Sequence, residues 1–163
     1  MNFTNEVNFD LPIYQQDVIP RLQNIDSRVA AMNAANISIS VLMFGPDGIQ
    51  GVFNSTFATY AASFINDEIA KIYKHGYYSG RFEFWCNNAL QDPVSAAVEL
   101  ERCVKVLGGV GSFVGGYTNM GFANNITYLD DPINTPFLKK VVELDVPIYL
   151  HPRMPPPDQQ RVY

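Results

Sequence analysis

Strand-like and helix-like segments alternate along the whole chain, and this order constrains the fold more than any other feature. The predicted strands are residues 37–43, 82–86, 110–114 and 146–150. The predicted helices are residues 18–34, 54–74, 93–107 and 133–144. Strands separated by helices of this length favour right-handed crossovers and a parallel sheet. The near-continuous apolar strands indicate cover on both faces, so the pattern predicts an α/β fold.

Apolar residues recur in the predicted helices at steps of three and four, which places them on one buried face. The first helix would bury Leu22, Ile25, Val29 and Met32, and the second Phe57, Ala61, Phe64, Ile65, Ile69 and Ile72. The third would bury Ala97, Leu100, Val104 and Leu107, and the fourth Phe137, Leu138, Val141 and Leu144. Residues 1–17 contain Pro12 and show no such pattern. We therefore expect an irregular lead-in over 1–17 and one domain over 18–163.

Length and charge narrow the classes of protein. A chain of 163 residues is too short for a complete (β/α)8 barrel, which needs about 250 residues. The net charge of −5 disfavours nucleic acid as a partner, because phosphate binding depends on a positive surface. No apolar run reaches the roughly 18 residues of a membrane span. The first residues lack a basic and an apolar region, so we expect no signal peptide and a cytoplasmic location.

The chain contains two cysteines, Cys86 and Cys103. Both lie inside apolar segments, and two cysteines do not make the framework of a small secreted domain. We therefore expect two buried free thiols in a reducing compartment.

Candidate functional residues follow the predicted strands, because parallel α/β folds bind ligands at the carboxyl ends of strands. His151 directly follows the last strand, where an imidazole is suited to ligate a metal; a structural or surface role is the alternative. Arg153 is suited to bind a carboxylate through its fork, or to form a surface ion pair. Gln50, Asn87 and Asn88 follow earlier strands.

Several motifs resemble metal-dependent decarboxylases of the amidohydrolase superfamily, in the branch of the resorcylate and dihydroxybenzoate decarboxylases. The strongest is LDVPIYLHPR at residues 144–153. Others are the Asp92-Pro93 helix start with its later ELERC, the GVGSFV strand at 109–114, Gly48-Ile49-Gln50, and the proline-rich tail. The motifs occur in the family's order, and together the resemblance covers roughly residues 20–163.

The resemblance implies a partial (β/α)8 TIM barrel, approximately strands two to five. It implies that His151 is a metal-ligand position for Zn or Mn, and that Gln50 and Arg153 bind substrate. The implied reaction is the non-oxidative decarboxylation of a hydroxylated aromatic acid. The implied partner is therefore a small aromatic carboxylic acid, which binds the site as the substrate.

The sequence also departs from the family. The family's Glu-x-His or His-x-His pair of the first strand, and its later histidine and aspartate, have no counterpart here, so catalytic residues are unassigned. Gly115 stands where the resorcylate enzymes carry an asparagine. We therefore expect the chain to be inactive as an isolated monomer. Two alternatives remain open: a metal hydrolase of the amidohydrolase type, and a non-catalytic half-barrel that acts as a homo-oligomer.

Overall fold

The computed structural model describes residues 11–45, 48–156 and 158–159. They fall into two compact units, 11–40 and 41–159. The domain expected from residue 18 onward is thus divided near residue 40. Within the described residues, no helix combines the length and the apolar character that a membrane crossing requires.

The first unit contains two helices, α1 (Ile19–Gln23) and α2 (Ile25–Ala34), where one helix was predicted. The break lies at Asn24, whose extended backbone (φ −120°, ψ 118°) ends α1. The Asn24 side chain accepts a hydrogen bond from the Ser27 N–H at 2.9 Å and so caps α2. A capping asparagine inside a periodic apolar pattern therefore interrupts the helix.

Two further expectations for the first unit are corrected. A π-helical turn, Tyr14–Val18, precedes α1, so the predicted irregular lead-in is helical there; residues 1–10 lie outside the described residues. Val29 and Met32 are buried as predicted, whereas Leu22 is exposed.

The strands of the main sheet match the predicted positions. They are β1 (Ser40–Leu42), β2 (Phe82–Phe84), β3 (Cys86–Asn87), β4 (Ser112–Gly115) and β7 (Ile148–His151). β1 pairs with β2, and β3, β4 and β7 form a parallel ladder. Only Trp85 separates β2 from β3, and its N–H donates to the Leu42 carbonyl at 2.9 Å. The α/β class and the parallel ladder are therefore confirmed, with four strand positions side by side.

A short antiparallel hairpin lies in the segment predicted as a loop. It consists of β5 (Thr118–Asn119) and β6 (Ile126–Thr127). Strands of two residues are too short to leave a periodic pattern, which is why the sequence did not indicate them.

Among its described residues, the second unit has three α-helices: α3 (Ser55–Ile69), α4 (Pro93–Arg102) and α5 (Thr135–Leu144). π-helical turns extend α3 over Ala70–Lys74 and α4 over Cys103–Leu107. Ala97, Leu100, Phe137 and Val141 are buried as predicted.

The buried face of α3 differs from the prediction. Ala58, Ala62 and Asn66 are the buried residues, whereas Phe57 and Phe64 are exposed. The small alanines pack in a cluster with Ile49 and Ala89. Small side chains allow a helix to approach its neighbours closely. The buried face of α3 therefore follows Ala58 and Ala62, one residue further along the chain than the predicted face of Phe57 and Ala61.

Cys86 and Cys103 form a disulfide, so the predicted free thiols are wrong. The bond joins β3 to the end of α4 across 17 residues of chain, and both cysteines are fully buried. Gly109 lies against it: a Cβ there would stand 2.3 Å from the Cys86 sulfur. Disulfides persist in oxidising environments, so this bond gives no support to the expected reducing compartment.

Reducing the disulfide should destabilise the second unit. A loop of this length is expected to contribute about 3 kcal/mol to the free energy of unfolding by restricting the unfolded chain. Urea unfolding of wild type with and without reductant, and of a C86S/C103S double variant, measures the loss. Thiol titration of the denatured, unreduced chain is the control, and two reactive thiols per chain would contradict the disulfide.

The start of α4 is capped by Asp92. Its carboxylate accepts hydrogen bonds from the Ser95 N–H at 3.1 Å and from the Ser95 hydroxyl at 2.6 Å. These bonds, the hydroxyl first, hold the pKa of Asp92 below its ordinary value. A carboxyl whose pKa is lowered by folding adds stability above its unfolded pKa and loses it as the pH falls through the folded pKa.

Replacing Asp92 by alanine should lower the free energy of unfolding by about 1 kcal/mol at neutral pH, because a helix cap is lost. The difference from wild type should shrink as the pH falls below about 4, where the unfolded carboxyl begins to bind a proton. The D92N variant keeps a capping oxygen without the charge. It should retain most of the stability at neutral pH and lose the pH dependence, as followed by urea unfolding at each pH.

Candidate functional site

His151 is the last residue of β7 and is paired in register with Gly115 of β4. Its Nδ1 lies 2.8 Å from the Pro152 carbonyl oxygen. Because a carbonyl can only accept, this contact requires a proton on Nδ1, so that in the neutral imidazole the lone pair belongs to Nε2. A backbone carbonyl that orients an imidazole in this way is a common arrangement behind a metal-ligating histidine.

The side chain of His151 belongs to an aromatic row on one face of the sheet. Its ring centroid lies 5.9 Å from that of Phe113 and 6.0 Å from that of Tyr149. Tyr149 in turn lies 5.6 Å from Trp85. Cys86 follows Trp85 in the chain, so its side chain points to the opposite face of the sheet. There it is bonded to Cys103 in the extension of α4. The imidazole therefore lies on the face opposite the one on which the disulfide joins the sheet to α4.

Gln50 is fully buried next to the strand ends. Its hydrogen bonds connect the ends of β3, β4 and β5. Its Nε2 donates to the Asn88 carbonyl at 2.7 Å, and its Oε1 accepts from the Gly115 N–H at 3.1 Å. Its own carbonyl accepts from the Asn119 N–H at 2.9 Å. Gly48 makes room for this amide: its φ is +59°, and a Cβ there would lie 2.7 Å from the Gln50 Oε1.

Arg153 joins the end of β7 to the segment after β4. Its guanidinium donates to the Tyr117 carbonyl at 2.6 Å and to the Asn119 Oδ1 at 3.2 Å. It also stacks on the Tyr117 ring, with 4.1 Å from Cζ to the centroid. A Cβ at Gly51 would lie 3.1 Å from the guanidinium, so any other residue there would push the guanidinium outward by a few tenths of an ångström. The structure therefore brings Gln50, Arg153 and His151 to one edge of the sheet.

A buried amide network behind the strand ends was not recognised from the sequence. Asn66 of α3 accepts from the Asn87 N–H at 2.8 Å and donates to the Glu99 carboxylate at 2.7 Å. Glu99 also binds Arg102 at 2.8 Å, and Arg102 binds Asp67. The hydrogen bond with Glu99 is the main cause that raises the pKa of Arg102 further above its ordinary value. A polar residue in the middle of an apolar helical pattern, Asn66, was the available signal.

The residues at this edge do not by themselves complete a metal site. A structural or catalytic Zn site takes three or four protein ligands. Within the described part of the chain, no group of three His, Cys, Asp or Glu side chains is placed to hold a metal ion. His151 fits one ligand position through Nε2, and the residues that the structure describes do not complete the ligand set.

The fold and the matched segment define the class of protein. The amidohydrolase family model matches residues 20–161, and the chain therefore belongs to the amidohydrolase family. The parallel strands with intervening helices, and a histidine at the carboxyl end of a strand, agree with that assignment.

Within this family, the chain is similar to gamma-resorcylate decarboxylases. It is 36% identical over 151 residues to the enzyme of Rhizobium radiobacter, covering 92% of this chain and 46% of that enzyme. It is 38% identical over 138 residues to the enzyme of Polaromonas sp. (strain JS666), covering 85% and 42%. The chain thus spans about half the length of the curated relatives it matches.

Solved structures give the same relationship. The 2,6-dihydroxybenzoate decarboxylase from Rhizobium superimposes with a TM-score of 0.80 at 36% identity, covering 85% of this chain and 42% of that chain. The dihydroxybenzoic acid decarboxylase from Polaromonas superimposes with a TM-score of 0.79 at 38% identity, covering 85% and 41%. The latter was solved with bound manganese and the inhibitor 2-nitroresorcinol.

Replacing Gln50 by leucine should loosen the strand ends. The change leaves the Asn88 carbonyl and the Gly115 N–H buried without their partner, at a cost of about 1–3 kcal/mol for each group. Urea unfolding gives the loss, and amide exchange should rise selectively at Gly115 and Asn119. The exposed Gln23 offers a matched control, since Gln23→Leu should change neither quantity. A Gln50→Leu protein as stable as wild type would show that the buried amide is not a structural clamp.

Proposed function

We propose that this chain forms part of a metal-dependent carboxy-lyase that decarboxylates a hydroxylated aromatic acid. The observation that carries the proposal is the match to gamma-resorcylate decarboxylases over 92% of the chain, with His151 at the carboxyl end of a parallel strand. In this proposal the four strand positions of the main sheet correspond to strands two to five of a (β/α)8 barrel. The site acts on a small aromatic carboxylic acid of the dihydroxybenzoate type.

The proposed reaction breaks the bond between the aromatic ring and its carboxyl carbon. The ring carbon takes up a proton, the electron pair of the broken bond stays with the ring, and CO2 leaves. No oxidant or reductant is consumed. In the proposal His151 Nε2 supplies one ligand of a divalent ion, Mn or Zn, and the manganese-containing relative supports this class of metal.

Gln50 and Arg153 were expected to bind substrate, and this role stays a prediction. Their observed contacts support a positioning role in addition. Gln50 holds Gly115, the register partner of His151, and Arg153 anchors the chain two residues after His151. Both residues therefore limit movement of the backbone that presents the imidazole.

The hydrolase alternative has weaker support. The curated relatives reported above are named for decarboxylation, although the family also includes proteins named as amidohydrolases. The cytoplasmic location and the absence of a nucleic-acid partner stay predictions from the sequence.

The function is tested by placing residues 20–161 into the Rhizobium 2,6-dihydroxybenzoate decarboxylase, in place of the matched segment. With Mn²⁺ present, the chimera should convert 2,6-dihydroxybenzoate to resorcinol and CO2, measured by absorbance and gas release. Its H151A variant should lose activity by at least roughly 100-fold, as is typical of lost metal-site groups. The exposed V142A variant is the matched control and should remain active.

The isolated chain should show no turnover under the same conditions, because one ligand does not hold a catalytic metal. Decarboxylation by the purified chain at the rate of the chimera would contradict this expectation. A folded chimera that binds Mn²⁺ and is unaffected by H151A would contradict the proposed role of His151.

A further inference from the structure

The parallel ladder between β4 and β7 ends at the pair Gly115 and His151, and Pro152 follows directly. Proline has no backbone N–H and cannot donate to a ladder. The two chain segments nevertheless stay close past this point. A Cβ on Gly116 would lie 3.3 Å from the Arg153 backbone nitrogen and 3.5 Å from the His151 carbonyl oxygen. Contacts other than the ladder therefore hold the segment after β7 against the segment after β4.

Tyr117 supplies these contacts through three of its groups. Its backbone carbonyl accepts a hydrogen bond from the Arg153 guanidinium at 2.6 Å. Its ring stacks on the same guanidinium, with 4.1 Å from Cζ to the ring centroid. Its hydroxyl donates to the Met154 carbonyl at 2.9 Å. One residue of the segment after β4 is therefore attached to two consecutive residues of the segment after β7.

The segment that Tyr117 holds contains the carbonyl that orients the imidazole. The Pro152 carbonyl oxygen lies 2.8 Å from His151 Nδ1. The pyrrolidine ring fixes the φ of Pro152, so the direction of this carbonyl depends on ψ, the rotation toward Arg153. The attachment of Arg153 and Met154 to Tyr117 limits that rotation. The position of the Pro152 oxygen therefore depends on the contacts of Tyr117.

The hydrogen bond between the Pro152 carbonyl and the His151 ring is exposed, so water competes for both groups. A carbonyl that turns away leaves Nδ1 to water. The tautomer of a neutral imidazole is set by the hydrogen bond that one of its nitrogens makes, so the preference for a proton on Nδ1 is then lost. Holding this carbonyl in place is therefore a condition for a lone pair on Nε2.

We propose that Tyr117 is a positioning residue for His151. By holding Arg153 and Met154 it fixes the Pro152 carbonyl, and the carbonyl fixes the orientation and the Nδ1–H tautomer of the imidazole. The lone pair then belongs to Nε2, the atom that the proposed function assigns to a divalent ion. The catalytic meaning of this role rests on the proposed function, whereas the tautomer can be measured without turnover.

Nitrogen NMR of the full chain, labelled with ¹⁵N-histidine, tests the proposal. The chain has 2 histidines, so a His151→Gln variant assigns the signals. At a pH of about 9 a histidine of ordinary pKa is neutral. Wild type should then show His151 mainly as the Nδ1–H tautomer. Tyr117→Ala should raise the ratio of the Nε2–H to the Nδ1–H tautomer by at least roughly threefold, as expected for the loss of one hydrogen bond.

Tyr117→Phe keeps the ring on the guanidinium and loses only the hydroxyl that binds the Met154 carbonyl. Its tautomer ratio should lie between those of wild type and Tyr117→Ala, and this variant keeps the test open if Tyr117→Ala does not fold. The matched control is Tyr77→Ala, which removes a tyrosine that is 95% exposed. It should leave the ratio unchanged. A merely structural role of Tyr117 would lower the free energy of unfolding without moving the ratio.

The chimera with the Rhizobium enzyme gives a second readout. Tyr117→Ala should weaken its apparent affinity for Mn²⁺ by about 10- to 100-fold, the range for lost groups that orient a metal ligand. Tyr117→Phe should restore most of the affinity. At saturating Mn²⁺, the KM for 2,6-dihydroxybenzoate should stay at the value without the substitution, because Tyr117 acts on the imidazole and not on the substrate.

Three results would overturn the proposal. The first is a wild-type chain in which His151 is mainly the Nε2–H tautomer. The second is a folded Tyr117→Ala chain with the wild-type tautomer ratio. The third is an equal shift of the ratio in Tyr77→Ala. An inactive chimera, combined with the expected shift in the full chain, would contradict the proposed function and leave the positioning role of Tyr117 confirmed.

Discussion

The parallel ladder on the two sides of β4 is the interaction on which the site depends. All four residues of β4 are buried, and its register with β7 places Gly115 beside His151. Any shift of that register by one residue would move His151 to the opposite face of the sheet. The position of the imidazole is therefore set by backbone hydrogen bonds before any side chain acts on it.

Buried amides and one guanidinium then secure the strand ends. Gln50 satisfies a carbonyl and an N–H that would otherwise lie buried without partners, and Arg153 attaches the chain after β7 to the β5 region. Glycine is required at position 48, where φ is +59° and a Cβ would stand 2.7 Å from the Gln50 Oε1, and Gly51 lets the Arg153 guanidinium approach the backbone closely. The disulfide attaches the extension of α4 to β3, and Asn66 attaches α3 to the same strand. The helix layer and the sheet are therefore joined at β3.

Much of the architecture was accessible from the sequence because apolar periodicity follows directly from backbone geometry. The four strand positions, α4, α5 and the strand-end place of His151 were predicted and are observed. Asn24 and the face of α3 were not predicted correctly, since a cap and a close helix contact depend on polar and small residues that a hydrophobic pattern discounts. The disulfide was missed because Cys86 lies in a strand and Cys103 at the end of a helix, and the two residues come together only when α4 packs against the sheet.

The sequence by itself determined the class of fold, the family and the residue types that stand at the strand ends. The tertiary structure alone decided which ring nitrogen of His151 carries the proton, that Gln50 and Arg153 are held by protein groups, and that Cys86 and Cys103 are bonded. The physical reason is that strand and helix patterns are local, with periods of about two and 3.6 residues. Hydrogen bonds and a disulfide between residues far apart in the chain depend on register and helix placement, which only packing sets.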